Sequence, residues 1–135
     1  MSDDLTAPAP APVDGVGETE QIDAAAIAGA RAADDKGGSH TVLMRVGDVL
    51  GVTEVFLVSS APNTRLVKAI VEEVEAKVAE HDGSRPLRIE GRDDQRWVLM
   101  DYGGWVAHVF LEEARGFYDL ERLWADVPRL AWSHA

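Results

Sequence analysis

The apolar positions of the chain fall into segments of two periods, near two and near 3.6 residues, separated by glycine, proline and acidic breaks. Between Glu20 and Asp35, Ile22, Ala25, Ala26, Ile27, Ala30 and Ala33 make a thin apolar face in an alanine-rich body. This predicts a first helix, with Thr19 as its N-cap. Asp34-Asp35-Lys36-Gly37-Gly38 ends it, and Gly37 suits a left-handed C-terminal position. Thr41 to Val46 is a β-rich run followed by the turn-prone Gly47-Asp48, whereas Glu54 to Ser59 is almost continuously apolar, the pattern of an internal strand covered on both faces. Ser60-Ala61-Pro62-Asn63 leads into a helix over Thr64 to Glu80. There Val67, Ile70, Val71, Val74 and Val78 recur at spacings of three and four, with Glu72, Glu73, Glu75 and Lys77 on the opposite side.

Asp82-Gly83 stops that helix, and Arg85 to Gly91 reads as a weaker, edge-like strand. Trp97 to Asp101 and Trp105 to Phe110 flank Tyr102-Gly103-Gly104, which predicts a tight hairpin because primed turns need positive φ at their centre. With Gly103-Gly104 as a two-residue turn, Tyr102 faces Trp105, Asp101 faces Val106 and Leu99 faces His108. Trp97, Leu99, Asp101, Val106, His108 and Phe110 then share one face. A last helix is expected over Glu112 to Ala125, with Glu112 and Glu113 in its first turn, Phe117, Leu120, Leu123 and Trp124 as its apolar stripe, and Pro128 closing it. The order of helix, two strands, helix, three strands and helix predicts an α/β (α+β) fold: a mixed β-sheet of about five strands with helices packed on it, without internal repeats.

Composition adds boundaries. A chain of 135 residues has room for one domain, placed over residues 18–127. Residues 1–17, an acidic Ala/Pro-rich stretch with almost no bulky apolar side chain, are expected to be a disordered tail, and 128–135 a short C-terminal tail. The net charge of −11 is uneven: residues 1–35 carry eight acids and one base, leaving 16 acids and 12 bases, or −4, for residues 36–135. No broad basic face for a phosphate backbone is implied, so contact with a nucleic-acid-rich machine should run through a protein component. Cysteine is absent, which removes disulfides, thiolate nucleophiles and Cys-ligated zinc. With no secretory signal and no apolar run near the ~20 residues a bilayer requires, a soluble cytoplasmic protein without a membrane partner is expected.

Asp101 and His108, diagonal neighbours in the hairpin register, could make an Asp–His contact and invite a hydrolase or nucleotidyltransferase reading with Ser59 or Ser60 as nucleophile. No G-x-S-x-G elbow surrounds either serine, so a half-buried histidine held by a carboxylate is the preferred reading. His40, His81, His108 and His134 lack metal-ligand spacing, and no Gly-rich phosphate loop occurs, so neither metal nor cofactor is expected. The aromatic residues are more informative. Three of the four tryptophans and both tyrosines lie between Trp97 and Trp124, interleaved with Arg96, Asp101, His108, Arg115 and Glu121. Aromatics with arginine are enriched at the energetic centres of protein interfaces, and a small domain has little room to bury every ring.

The run Trp97-Val98-Leu99-Met100-Asp101-Tyr102-Gly103, then His108-Val109-Phe110, Arg115, Phe117-Tyr118 and Leu120-Glu121-Arg122-Leu123-Trp124, resembles the ribosomal silencing factor (Iojap-like) family. Ala32-Ala33-Asp34-Asp35-Lys36, Phe56-Leu57-Val58, Asn63-Thr64-Arg65 and Glu90-Gly91 extend the likeness, collinearly, over about residues 20–127. The resemblance implies a nucleotidyltransferase-like topology without that enzyme's activity, and commonly a homodimer. It also implies binding to the large ribosomal subunit through ribosomal protein fourteen, which sterically blocks the small subunit and represses translation. On this reading Trp97, Asp101, Tyr102 and His108 are candidate partner contacts on the strands, and Arg115, Tyr118 and Glu121 on the helix.

Overall fold

The computed structural model describes residues 17–47, 53–118, 122 and 125–133. Its elements in chain order are α1 (Glu18–Asp35), β1 (Ser39–Arg45), β2 (Val55–Ala61), α2 (Thr64–Asp82), β3 (Arg88–Glu90), β4 (Trp97–Asp101), β5 (Trp105–Leu111), α3 (Glu112–Tyr118) and β6 (Arg129–Leu130). The expected acidic tail lies almost wholly outside the described residues, as does most of the last helix beyond Tyr118.

Helix ends follow local chemistry. The first helix starts two residues earlier than the Thr19 cap predicts, because Gly17 serves as N-cap and its amide donates to Glu20 Oε1 at 2.8 Å. At the other end the Gly38 amide donates to Ala33 O, with Gly37 at φ 86° in the left-handed region. In α2, Asn63 Oδ1 accepts from the Leu66 amide at 2.9 Å, and the predicted stripe of Val67, Ile70, Val71, Val74 and Val78 is buried.

Among the described residues the strands form one six-stranded sheet in the order β3-β4-β5-β2-β1-β6. Central β2 pairs in parallel with β5 and antiparallel with β1; the remaining ladders are antiparallel. The parallel pair requires a crossover, and α2 with β3 and β4 supplies it. The strand beyond the expected five is β6, two residues that pair with Leu43 and Met44 of β1.

Side-chain alternation divides the core. Helices α1 and α2 cover one face over Leu43, Val55, Leu57, Val98, Met100, Trp105, Ala107 and Val109. Contact there is close enough to require Gly29, where a Cβ would lie 2.9 Å from Trp105 Cη2. The opposite face carries a smaller cluster of Met44, Val46, Val58 and Phe110, on which Ala114 of α3 rests. Burial of strand residues on both faces explains the unbroken apolar run of β2.

Candidate partner-binding face

The hairpin fixes the geometry of the predicted site. Gly103 adopts φ 88°, a conformation that penalises any Cβ, and the Tyr102 amide donates to Trp105 O at 2.9 Å. The register pairs Trp97 with Phe110, Leu99 with His108 and Asp101 with Val106, as the two-residue turn predicts. Trp97, Leu99, Asp101 and Val106 are half-buried on the face opposite α1 and α2, and His108 and Phe110 are buried beside them. Parallel pairing with β2 sets Phe56 next to Val106 and brings its ring to 4.5 Å from His108, edge on. Phe56 was not among the predicted contacts; its place depends on a pairing between strands some fifty residues apart, which no local spacing reveals.

The contact expected between Asp101 and His108 is not made. Trp97 Nε1 donates to His108 Nδ1 at 3.0 Å, so the neutral ring carries its proton on Nε2, which is buried without a partner among the described residues. Burial lowers the His108 pKa to about 4. The Asp101 carboxylate is engaged elsewhere: Oδ1 accepts from the Gly103 amide at 2.8 Å, and Oδ2 lies 3.4 Å from Arg88 Nε. Cross-strand neighbours with better-directed donors therefore separate the two groups. His108 has no carboxylate orienting it, and Asp101 and His108 do not form a hydrogen-bonded acid–base pair in this structure. Ser59 and Ser60 are fully buried, Ser59 against Thr41 and Ser60 against Ser39 and Arg115. Among the described residues no three His, Asp or Glu side chains gather in a way that could hold a metal ion, and no helix is long and apolar enough to cross a membrane.

The remaining candidates separate in space. Tyr102 lies on the helix-covered side, stacked on Trp105 with ring centroids 4.3 Å apart and planes at 1°. Arg115 is 8% exposed, and its Nη1 donates to Ser39 O at 3.0 Å and Ser60 Oγ at 2.9 Å, tying α3 to β1 and β2. Ser39 Oγ donates to Glu112 Oε2 at 2.8 Å and completes this brace. Tyr118 is the last residue of α3, and Glu121 lies outside the described residues. The structure thus assembles Trp97, Asp101 and His108 on one face, with α3 held at its edge.

The family model for RsfS, "Ribosomal silencing factor during starvation", matches residues 19–134. The chain belongs to the RsfS family. A ribosomal silencing factor RsfS of Halalkalibacterium halodurans is 37% identical over 97 residues, which cover 72% of this chain and 82% of the relative. The mouse protein named mitochondrial assembly of ribosomal large subunit protein 1 is 33% identical over 85 residues, or 61% of this chain and 37% of that one. A crystal structure of a protein from Chromobacterium violaceum superposes with a TM-score of 0.70 at 27% identity, covering 88% of this chain and 95% of the other, so the mixed α/β fold is shared. RsfS membership brings a ribosomal silencing role, and the relatives carry the names of ribosomal factors rather than of enzymes.

Proposed function

We propose that the chain acts in the cytoplasm by binding the large ribosomal subunit through ribosomal protein fourteen, blocking the small subunit sterically and so repressing translation. The observation that carries this reading is the half-exposed face of Trp97, Leu99, Asp101 and Val106 on a chain of a ribosome-silencing family. Rigid aromatic and aliphatic groups around one carboxylate suit a protein partner, and a net charge of −11 disfavours direct contact with phosphate. His108 and Phe110 support Trp97 from beneath. Arg115 positions α3, and Tyr118 and Glu121 are further contact residues of this proposal. No bond-making step is involved; occupancy of the joining surface is the mechanism.

Sedimentation with isolated ribosomal subunits tests this. The chain should co-migrate with the large subunit alone and reduce subunit joining. Leu99→Arg, at a half-exposed position, should weaken binding by roughly 30-fold, the equivalent of ~2 kcal/mol at an interface centre, without loss of helical signal. Folded chain that stays at the top of the gradient beside large subunits would overturn the reading. The same runs report whether the free chain is the homodimer that the resemblance implies.

A further inference from the structure

The last described residues form a strap that crosses the β1 border of the sheet from one face to the other. Val127 packs on the smaller apolar cluster, on the face opposite α1 and α2, whereas Leu130 and Trp132 pack on the larger one. Between them, Arg129 and Leu130 pair with Met44 and Leu43, and the Arg45 amide donates to Pro128 O at 2.9 Å. The alternation of an antiparallel ladder turns the Leu43 amide towards β6 as well, and the amides of Met44 and Val46 towards β2. The Val46 amide donates to Glu54 O at 2.8 Å.

Burial is uneven across this border. Leu43 and Met44 are wholly buried, but no residue from Ala125 to Ser133 is, and the apolar anchors Leu130 and Trp132 are half-buried. Release of the strap would hand its backbone groups and those of the β1 edge to water, so each lost hydrogen bond has a small net cost. Release of β1 from β2 would instead open a ladder flanked by buried side chains. A fastening distinguishes the strap from a frayed end. Exposed Arg31 of α1 donates from Nε to Trp132 O at 2.8 Å and from Nη2 to Ser133 O at 3.2 Å, gripping two successive carbonyls. The Trp132 indole donates to Thr41 O at 3.2 Å. These bonds hold the far end of the strap, where ladder pairing has stopped.

We propose that the strap is a gate over the β1 edge, latched by Arg31, that opens while the rest of the sheet stays folded. A segment with few buried contacts opens at a free energy below that of global unfolding. Opening bares Thr41 O, the Leu43 amide and carbonyl and the Arg45 amide, a run of strand edge able to pair. It also uncovers the apolar side chains on which Leu130 and Trp132 rest. The latch sets how often that edge is bare, because the guanidinium must release both carbonyls before Trp132 can leave. The gate works in the free chain, so it does not depend on the docking reading.

Native-state hydrogen exchange of the isotopically labelled full chain, followed as urea is raised below the unfolding transition, tests the gate. After correction for intrinsic rates, the Leu43, Arg45 and Leu130 amides should exchange at least about tenfold faster than those of Met44 and Val46. Their rates should depend little on urea, since the opening exposes little surface, while Met44 and Val46 should show the steep dependence of global unfolding. Arg31→Gln, at an exposed position, should speed exchange at Leu43 and Arg45 roughly tenfold and leave their urea dependence shallow. Trp132→Phe, which keeps an aromatic ring but loses the donor, should speed it severalfold. Equal protection and equal urea slopes at the two sets of amides would overturn the proposal, since β1 would then lose the strap only by unfolding. So would an Arg31→Gln chain in which Leu43 and Arg45 exchange as they do in the wild type.

Discussion

His108 sits where a carboxylate partner was expected and has an indole instead. Because Trp97 donates to Nδ1, the ring must be neutral at that nitrogen, and protonation would break the bond as well as place a charge in a closed aromatic slot. The folded-state pKa of about 4 lies below the ordinary 6.5 of the unfolded chain, so between these values the unfolded state binds more protons. Stability from this group is therefore complete above pH 6.5 and is lost as pH falls towards 4, by about 3 kcal/mol in all. Carboxylates titrate in the same range, so the measurement is the difference between the wild-type chain and His108→Leu in urea midpoints from pH 7.5 to 4. The wild-type chain should lose stability faster on acidification. Parallel curves would show that His108 does not titrate in folding.

At the scale of elements, a side-chain brace ties α3 to the sheet. Arg115 fixes its first turns by donating to Ser39 O and Ser60 Oγ. Arg115→Leu would leave those acceptors short of a donor in a buried site and should cost about 2 kcal/mol, read from urea denaturation. Large-subunit binding should then fall only as the folded fraction falls. A variant as stable as wild type that no longer binds would mean that Arg115 touches the partner directly. The brace was not legible in the sequence, since it joins residues 55 and 76 positions apart. What was legible is local: the Gly103-Gly104 turn fixed the β4–β5 register, and the valine stripe with Asn63 and Gly83 fixed α2. The same register put Asp101 and His108 on one face, but alternation says nothing of which donor reaches each group, and Arg88, Gly103 and Trp97 decided that. The β2–β5 pairing, and with it the place of Phe56, required the crossover and had no one-dimensional sign.

For the molecule as a whole, the two borders of the sheet are protected by different means, and this bears on whether the proposed docking face is left free for a partner or drawn into pairing with another sheet. Edge strand β3 is three residues long, with exposed Arg88 and Glu90, a pattern that resists further strand pairing. The β1 border is longer and is covered by the returning chain. Arg45 N donates to Pro128 O, Leu43 and Met44 pair with Leu130 and Arg129, and Trp132 Nε1 donates to Thr41 O at 3.2 Å. Arg31 of α1 fastens the end of this cover through Trp132 O at 2.8 Å and Ser133 O at 3.2 Å. A two-residue strand has no periodicity to read, which is why sequence alone placed these residues in a tail. Leu130 and Trp132 also pack on the larger core, so removal of residues 128–135 takes away apolar burial together with the edge cover. A chain ending at Val127 should lose roughly 3 kcal/mol of stability and expose the amides and carbonyls of β1 to a second copy. Its urea midpoint should fall, and light scattering should show association that grows with concentration and exceeds any shown by the full chain. Restoring only Pro128 to Leu130 should recover most of the solubility, since the ladder shields the edge, but less of the stability, which depends on Trp132 and its link to Arg31. If the two properties returned together, the strap would be acting through the core alone, and the β1 edge would need no cover.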